Sequence, residues 1–176
     1  MRSAIPPYAL QRCDFATGMA TAHLIHGYLG AGKTTFARRL EQELPAIRFT
    51  HDEWMRALYG RDPPEERFAD YARRVSGLME SLWTRCLQLS VDVVLDSGFW
   101  SREERDRTRA LVGSLGADVR LYRLTCPDEV AWARIAARNA TSDAGLHIAP
   151  NTFATLKARF QPLDEDEARV EVVSGG

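Results

Sequence analysis

The chain has 176 residues, of which 45% are hydrophobic and 27% charged, and its formal net charge is −1. This size and composition are typical of one soluble globular domain with a full core and exclude two ordinary domains. The charge argues against a general electrostatic grip on nucleic acid, although a local basic groove stays open, and no apolar run is long enough to cross a membrane.

The N-terminal residues and the cysteines indicate the expected compartment. Residues 1–18 lack the continuous apolar core of a signal peptide and are interpreted as a flexible arm or as an upstream start seldom used. The organised domain is expected to cover 19–176. Cys13, Cys86 and Cys126 are widely spaced and odd in number, which predicts reduced thiols in a cytoplasmic protein and no zinc site.

Short apolar runs alternate with longer helical patterns, which indicates α/β architecture with a parallel sheet. The predicted strands cover 20–26, 46–50, 91–95, 118–124 and 169–173. The predicted helices cover 33–44, 51–59, 65–89, 102–115, 128–140 and 151–160. Ser101 with Glu104, and Thr50 with Glu53, are expected to form capping boxes at two helix starts.

The first predicted strand is followed by Gly-Tyr-Leu-Gly-Ala-Gly-Lys-Thr-Thr, which has the spacing G-x-x-x-x-G-K-T. A strand before it and a helix after it are the context that this phosphate-binding pattern requires, so a coincidental glycine-rich turn is disfavoured. The loop amides would surround the phosphates of a nucleoside triphosphate, Lys33 would face the β and γ phosphates, and Thr34 would hold Mg²⁺. The predicted nucleotide-binding residues are Gly27, Tyr28, Leu29, Gly30, Ala31, Gly32, Lys33, Thr34 and Thr35.

Two aspartates follow the next strands, and ligands bind at the carboxyl ends of strands in an open parallel sheet. Asp96 is predicted to be the Walker B acid that contacts Mg²⁺ directly or through water, with a strand-ending turn residue as the alternative. Asp52 is predicted to accept the proton of an acceptor hydroxyl, although the helix dipole alone also favours an aspartate in a first helical turn. Arg56, one turn further on, can share a face with Asp52.

Arg134 and Arg138 lie on one face of the helix predicted over 128–140, and the turn-rich stretch 140–150 is expected to be a mobile loop. If residues 134–150 form a lid, these arginines would neutralise charge on a transferring phosphoryl group and exclude water. The alternative is a solvated helix face.

The ordered motifs GxxxxGKT, DEWMRALYG, VVLDSGFWSREERDR and LTCPDEVAWARIAARN resemble the small ATP-binding proteins labelled AAA that are described as predicted kinases. That group is similar to the kinase module of polynucleotide kinases, to chloramphenicol phosphotransferase and to the zeta toxins. The resemblance covers about residues 22–165. It implies a three-layer P-loop kinase fold with about five parallel strands in the order 2-3-1-4-5, helices on both faces, and ATP and Mg²⁺ as cofactors.

The resemblance also implies residue roles, while the acceptor is not implied, because relatives phosphorylate nucleic acid ends, antibiotics, sugars and nucleotide sugars. Lys33 and Thr34 match the triphosphate and Mg²⁺ ligands, Asp52 the hydroxyl-activating aspartate, Asp96 the acid after the third strand, and Arg134 or Arg138 the lid arginine. Arg102 and Arg105 lie where some relatives touch the acceptor or its phosphate.

Residues 52–89 would form the acceptor wall. They hold five aromatic residues, Trp54, Tyr59, Phe68, Tyr71 and Trp83, beside the arginines Arg56, Arg61, Arg67, Arg73, Arg74 and Arg85. Such aromatics could stack on a base, but at helical spacing they are more often core residues. Trp100 is predicted to border the pocket. The acidic stretch 163–167 would repel a polyanion, which favours a small hydroxylated acceptor over a long nucleic acid, and a monomer or homodimer is expected.

Two alternatives remain. The wording GYLGAGKTT also resembles the P-loop of metal-chaperone GTPases related to cobalamin synthesis, but the chain lacks their NKxD segment and cysteine motif. A nucleotide-binding regulatory or assembly NTPase without an acceptor is the other alternative. Asp52 distinguishes a kinase from this regulatory module, because only a kinase needs the carboxylate to accept a proton.

Overall fold

The computed structural model describes residues 18–141, 146–168 and 170–173. Its elements are β1 (Thr21–His26), α1 (Lys33–Glu43), β2 (Ala46–Thr50), α2 (His51–Tyr59), α3 (Glu65–Gln88), β3 (Asp92–Gly98), α4 (Arg102–Ser114), β4 (Asp118–Thr125), α5 (Asp128–Ala140), α6 (Pro150–Lys157) and β5 (Val170–Val173). The interpretation of 1–18 as an arm concerns residues that, apart from Gly18, lie outside this description, and so do residues 142–145 of the predicted loop.

The sheet has the predicted architecture. β2, β3, β1 and β4 pair in that order, every pair is parallel, and the short β5 joins the edge at β4. The α/β fold class is therefore confirmed. The register sets Thr50 of β2 opposite Asp96 of β3, and His26 of β1 opposite Gly98. The carboxyl ends of β1, β2 and β3 consequently meet at one edge of the sheet.

The two faces of the sheet carry separate apolar clusters, because successive residues of a strand point to opposite sides. Leu24 of β1 packs into the cluster that contains Met79 of α3, whereas Ile25 packs into the cluster that contains Phe36 of α1. All four side chains are less than a tenth exposed. With both faces covered, the strand ends are the part of the sheet left for a ligand.

Several element ends differ from the sequence prediction by one to three residues, and two differences concern the site. β3 runs to Gly98 rather than ending near residue 95, so Asp96 lies inside the strand. Ser101 caps α4 as predicted, since its hydroxyl accepts a hydrogen bond from the amide of Glu104 at 3.1 Å. The capping box predicted at Thr50 is wrong: the Thr50 side chain makes no cap bond, and its hydroxyl donates to Asp96 Oδ2 at 3.3 Å.

The aromatic residues of the predicted acceptor wall mostly belong to the core. Trp83 is 6% exposed, and the rings of Tyr59 and Tyr71 stack with centroids 3.8 Å apart. Trp54 packs against Phe49, which is itself buried. Their helical spacing therefore serves packing. Among the helices described, none is long and apolar enough to cross a membrane.

Candidate active site

A pocket of about 490 Å³ lies at the strand ends, between the loop that follows β1 and helix α5. Six of the predicted nucleotide-binding residues line it: Leu29, Gly30, Gly32, Lys33, Thr34 and Thr35. Five further predicted residues also line it: Asp52, Arg56, Asp96, Arg134 and Arg138. The lining residues that the sequence reasoning missed are Arg38, Thr50, Glu53, Ser97 and Ile135.

The backbone of the loop after β1 explains two of its glycines. Gly30 has φ +75°, and a Cβ atom there would lie 2.4 Å from the carbonyl oxygen of Ala131 in α5. Gly32 has φ 87° and precedes α1 without a side-chain cap, so the first amides of that helix have no side-chain acceptor. Free amides and the helix dipole at this end favour an anion.

Lys33 stands at the first position of α1 and lines the pocket. Its ammonium group donates to the carbonyl oxygen of Tyr28 at 2.9 Å. Burial lowers the pKa of Lys33, while the negative charges of Asp96 and Asp52 act in the opposite direction. An added phosphate would favour the charged form in the same way as these carboxylates do.

Thr34 and Asp96 form the candidate metal site. The Thr34 hydroxyl donates to Asp96 Oδ2 at 2.7 Å, and the Thr50 hydroxyl approaches the same oxygen. Asp96 is 5% exposed, and burial raises the pKa of its carboxyl group, with the charge of Lys33 and the bond from Thr34 opposing. A hydroxyl and a carboxylate side by side are hard oxygen donors of the kind that Mg²⁺ takes together with phosphate oxygens and water. The residues present therefore fit this ion.

Asp52 reaches the same pocket from the start of α2, with a side chain that is 52% exposed. Burial raises the pKa of Asp52, but the bond with His51 and the positive charge of Lys33 outweigh this, so its pKa lies below the usual value. The Nδ1 atom of His51 lies 3.8 Å from Asp52 Oδ1. The carboxylate is consequently ionised at neutral pH and can accept a proton.

The two predicted lid arginines have different surroundings. Arg134 donates through Nη1 to the carbonyl oxygen of Gly30 at 3.4 Å and approaches the Cys126 sulfur at 3.7 Å. The Nε atom of Arg138 is buried and has no hydrogen-bond partner within the described part of the chain. A buried unpaired donor costs about 1–3 kcal/mol, and an anion in the pocket would remove that cost. Of these two arginines, Arg138 is therefore the one for which a bound anion would supply a missing hydrogen-bond acceptor.

The rim of the pocket carries charges that the sequence reasoning overlooked. Arg38 of α1 pairs with Glu53 at 2.8 Å, and Arg48 pairs with the other oxygen of Glu53 at 2.9 Å. Arg38 lies four residues after Thr34 on α1, a spacing that puts both on one helix face. That spacing was the signal from which Arg38 could have been found.

Arg102 and Arg105 do not line the described pocket, and their role as acceptor contacts stays a prediction. Arg105 is fully buried, and its guanidinium group donates to both carboxylate oxygens of Glu167, at 2.8 and 2.7 Å. Arg102 pairs with Asp106 at 2.7 Å and with Asp166 at 2.8 Å. Both arginines are held by carboxylates of the chain.

The acidic stretch 163–167 supplies most of these partners. Asp164, Asp166 and Glu167 all pair with arginines of α4. These ion pairs compensate much of the charge within the chain, so the repulsion of a polyanion stays a prediction with less support. The preference for a small acceptor over nucleic acid is weakened accordingly.

Tyr28 and Trp100 support the loop from outside the pocket. The Tyr28 hydroxyl donates to the carbonyl oxygen of Phe153, and its ring lies 5.6 Å from that of Trp100. The indole nitrogen of Trp100 donates to the carbonyl oxygen of Gly27 at 3.2 Å. Trp100 thus does not line the described pocket as predicted, and neither do Gly27, Tyr28 or Ala31.

Comparison with known proteins identifies a family and similar folds. A family model described as "AAA domain" matches residues 23–163, while the sequence matches no curated protein. A predicted kinase from Chloroflexus aurantiacus J-10-fl has 16% identity and a TM-score of 0.72, with 89% of each chain covered. Kti12 of Chaetomium thermophilum, solved with ADP-AlF3, has 17% identity and a TM-score of 0.65, with 86% of this chain and 88% of that chain covered.

A gluconokinase from Sinorhizobium meliloti 1021 has 14% identity and a TM-score of 0.61, with 88% of this chain and 83% of that chain covered. At these identities the likeness concerns the fold, which these proteins share with this chain. The likeness does not carry the acceptors and partners of these proteins over to this chain.

Proposed function

Because the chain belongs to the AAA domain family, whose model matches residues 23–163, we propose that it is a Mg²⁺-dependent P-loop kinase that uses ATP. It transfers the γ-phosphate to a hydroxyl group of a small molecule or of a nucleic acid end. The observation that carries this proposal is one pocket that contains the phosphate loop, the Thr34–Asp96 pair and the ionised carboxylate of Asp52. The kinases among the structural neighbours agree with it.

Binding of the triphosphate is assigned to the loop amides and to Lys33, which lines the pocket at the start of α1. Thr34 and Asp96 would hold Mg²⁺, which when bound neutralises phosphate charge and orients the oxygens of the phosphates. The hydrogen bond between these two side chains supports the assignment, since it holds the two oxygen atoms that would bind the metal close together.

Proton transfer is assigned to Asp52. Its carboxylate accepts the proton of the acceptor hydroxyl as that oxygen bonds to the γ-phosphorus, and the bond from the γ-phosphorus to the β–γ bridging oxygen breaks to release ADP. Arg138 and Arg134, which line the opposite wall, would neutralise the charge on the transferring group. Most of the rate enhancement would come from this positioning of the reactants and from charge neutralisation.

The test follows the transfer of label from γ-labelled ATP with Mg²⁺ to a panel of acceptors. The panel contains 5′-hydroxyl oligonucleotides, nucleosides, sugars and hydroxylated antibiotics. Native protein should label at least one acceptor, and Asp52→Asn should reduce the rate by about 10²–10⁴-fold, the usual contribution of a general base.

Asp128→Asn is the matched control. Asp128 is also in the first turn of a helix, and its side chain is 59% exposed, compared with 52% for Asp52, but it does not line the pocket. Both substitutions remove a similar interaction with a helix dipole. Equal rates for the two variants, or release of inorganic phosphate alone, would contradict the kinase proposal and favour a nucleotide-binding regulatory NTPase.

A further inference from the structure

The loop between α2 and α3 contacts the end of α5 and the segment that precedes α6. The Nη2 atom of Arg61 donates to the carbonyl oxygen of Asn139 at 2.7 Å, and the amide of His147 donates to the carbonyl oxygen of Arg61 at 3.3 Å. The Asn139 side chain bonds both backbone groups of Ile148, at 2.7 and 3.3 Å. We call these four residues, Arg61, Asn139, His147 and Ile148, the Arg61 clasp.

The clasp is a specific arrangement. Arg61 places a positive charge at the carboxyl end of α5, where the helix dipole is negative and the last carbonyl groups lack helical partners. Ile148 is 6% exposed, which anchors the segment in the interior. The Nε atom of Arg61 is nevertheless buried without a hydrogen-bond partner in the described residues. A buried donor left unpaired calls for an explanation beyond stability.

The position of the clasp suggests that explanation. Helix α2 carries Asp52 into the pocket and ends at Tyr59, two residues before Arg61. Asn139 directly follows Arg138, which lines the pocket from α5. From Asp52 to Tyr59 the helix rises about 10 Å. The clasp therefore joins the wall that holds the proposed base to the wall that holds the proposed phosphoryl-binding arginine.

We propose that Arg61 is a positioning residue: through Asn139 it fixes the end of α5 so that Arg138 faces the phosphate pocket. This inference rests on the proposed function, in which Arg138 neutralises charge on the transferring group. Arg61 itself does not line the pocket. Its loss should weaken binding of the transition state and leave binding of the ground-state nucleotide nearly unchanged.

The experiment compares the affinity for ADP with Mg²⁺ and the affinity for ADP with Mg²⁺ and aluminium fluoride, a mimic of the transferring phosphoryl group. In native protein the fluoride should tighten binding. Arg61→Met, which keeps the aliphatic stem, should lose about 10-fold or more of that tightening, since small misplacements of positioned groups can cost up to about 10²-fold. Its affinity for ADP alone should stay within about 2-fold, and Arg61→Lys should recover part of the loss.

Arg73→Met is the matched control, because Arg73 is an exposed arginine of α3 that pairs with Asp70 away from the pocket. Equal fluoride tightening in Arg61→Met and Arg73→Met would overturn the inference, and so would an equal loss of affinity for ADP and for the fluoride complex. If Arg61→Met does not fold, Arg61→Gln takes its place, because it also removes the guanidinium group that donates to the Asn139 carbonyl, with the same expected loss and the same contrary result. Absence of tightening in native protein would overturn the proposed function as well, whereas tightening that survives in Arg61→Met overturns the clasp alone.

Discussion

Two groups of arginines and carboxylates, one on α4 and one in the pocket, have different surroundings. In the arginine cluster, formed by Arg102, Arg105, Arg109, Asp106, Asp164, Asp166 and Glu167, donors and acceptors are matched. Arg105 alone donates to Glu167 and to the carbonyl oxygens of Phe99, Gln161 and Pro162. In the pocket, Arg138 keeps a buried Nε without a partner in the described chain, and the Lys33 ammonium group donates to a backbone carbonyl and not to a carboxylate.

This difference distinguishes charged residues that stabilise the fold from charged residues that can bind a ligand. A buried ion whose hydrogen bonds are satisfied by the chain stabilises one arrangement of it, whereas a buried ion left incompletely satisfied costs free energy until something binds. The arginine cluster fixes the segment 161–167 against α4. Lys33 and Arg138 are the pocket cations that we propose to bind phosphates.

The largest effect that sharpens this comparison is expected at Glu167. Glu167→Gln leaves the fully buried Arg105 without its counter-charge, and breaking a buried ion pair in this way costs about 3–5 kcal/mol in the free energy of unfolding. The affinity for ATP should change by less than about 2-fold in the folded variant, because Glu167 does not line the pocket. Denaturant unfolding and calorimetry measure the two quantities. An unchanged midpoint of unfolding would refute the structural role.

At Lys33 we expect the opposite pattern, a loss of ATP affinity with little loss of stability. Lys33→Met should weaken ATP binding by about 1.5–3 kcal/mol, the range for a hydrogen bond to a charged group, or roughly 10–150-fold. The free energy of unfolding should fall little or rise, since burial already lowers the pKa of this ammonium group. The same two measurements apply. Loss of stability with normal ATP affinity would reverse the roles assigned to the two regions.

A smaller, pH-dependent effect is expected at His26, which touches the arginine cluster through Phe99. Burial lowers the pKa of His26 to about 4, with a hydrogen bond to the Phe99 carbonyl opposing and Arg105 adding to the decrease. The unfolded chain takes up the proton near pH 6.5, so stability should be constant above that value and decrease towards pH 4. At pH 5 the loss from this residue is about 2 kcal/mol relative to pH 7.

His26→Asn provides the comparison for this effect. Urea unfolding between pH 7 and 5 should give a shallower dependence in the variant, although buried His23, whose pKa burial also lowers, retains part of the slope. Identical slopes in the two proteins would mean that His26 is not neutral in the folded state.

The features that the sequence predicted well are local or follow from sheet geometry. The strand and helix bounds follow residue periodicity, and the phosphate loop is a contiguous motif. Asp52 and Asp96 are far apart in sequence, yet Asp52 follows β2 and Asp96 lies near the end of β3, and the carboxyl ends of these parallel strands meet at one edge. That rule was sufficient to predict that both aspartates line the pocket.

The features that the sequence did not predict depend on a partner distant in the chain. Arg105 lies in the first turn of α4 and Arg138 in the last turn of α5. The sequence proposed both as ligand contacts, but Glu167, 62 positions after Arg105, makes Arg105 structural. Thr50 lost its expected cap because the register put Asp96 beside it. Trp100 turned to the carbonyl of Gly27, a contact that only the packed loop defines.

The most direct test of the central claim follows the γ-phosphate itself. Native protein is incubated with ATP, Mg²⁺ and the acceptor panel, and ³¹P NMR records where the phosphorus goes. A phosphate monoester signal that grows on one acceptor as ATP becomes ADP is the predicted result. If the γ-phosphate stays on ATP, or appears only as inorganic phosphate, the pocket is not that of a kinase for any acceptor in the panel, and the account of Asp52 is contradicted.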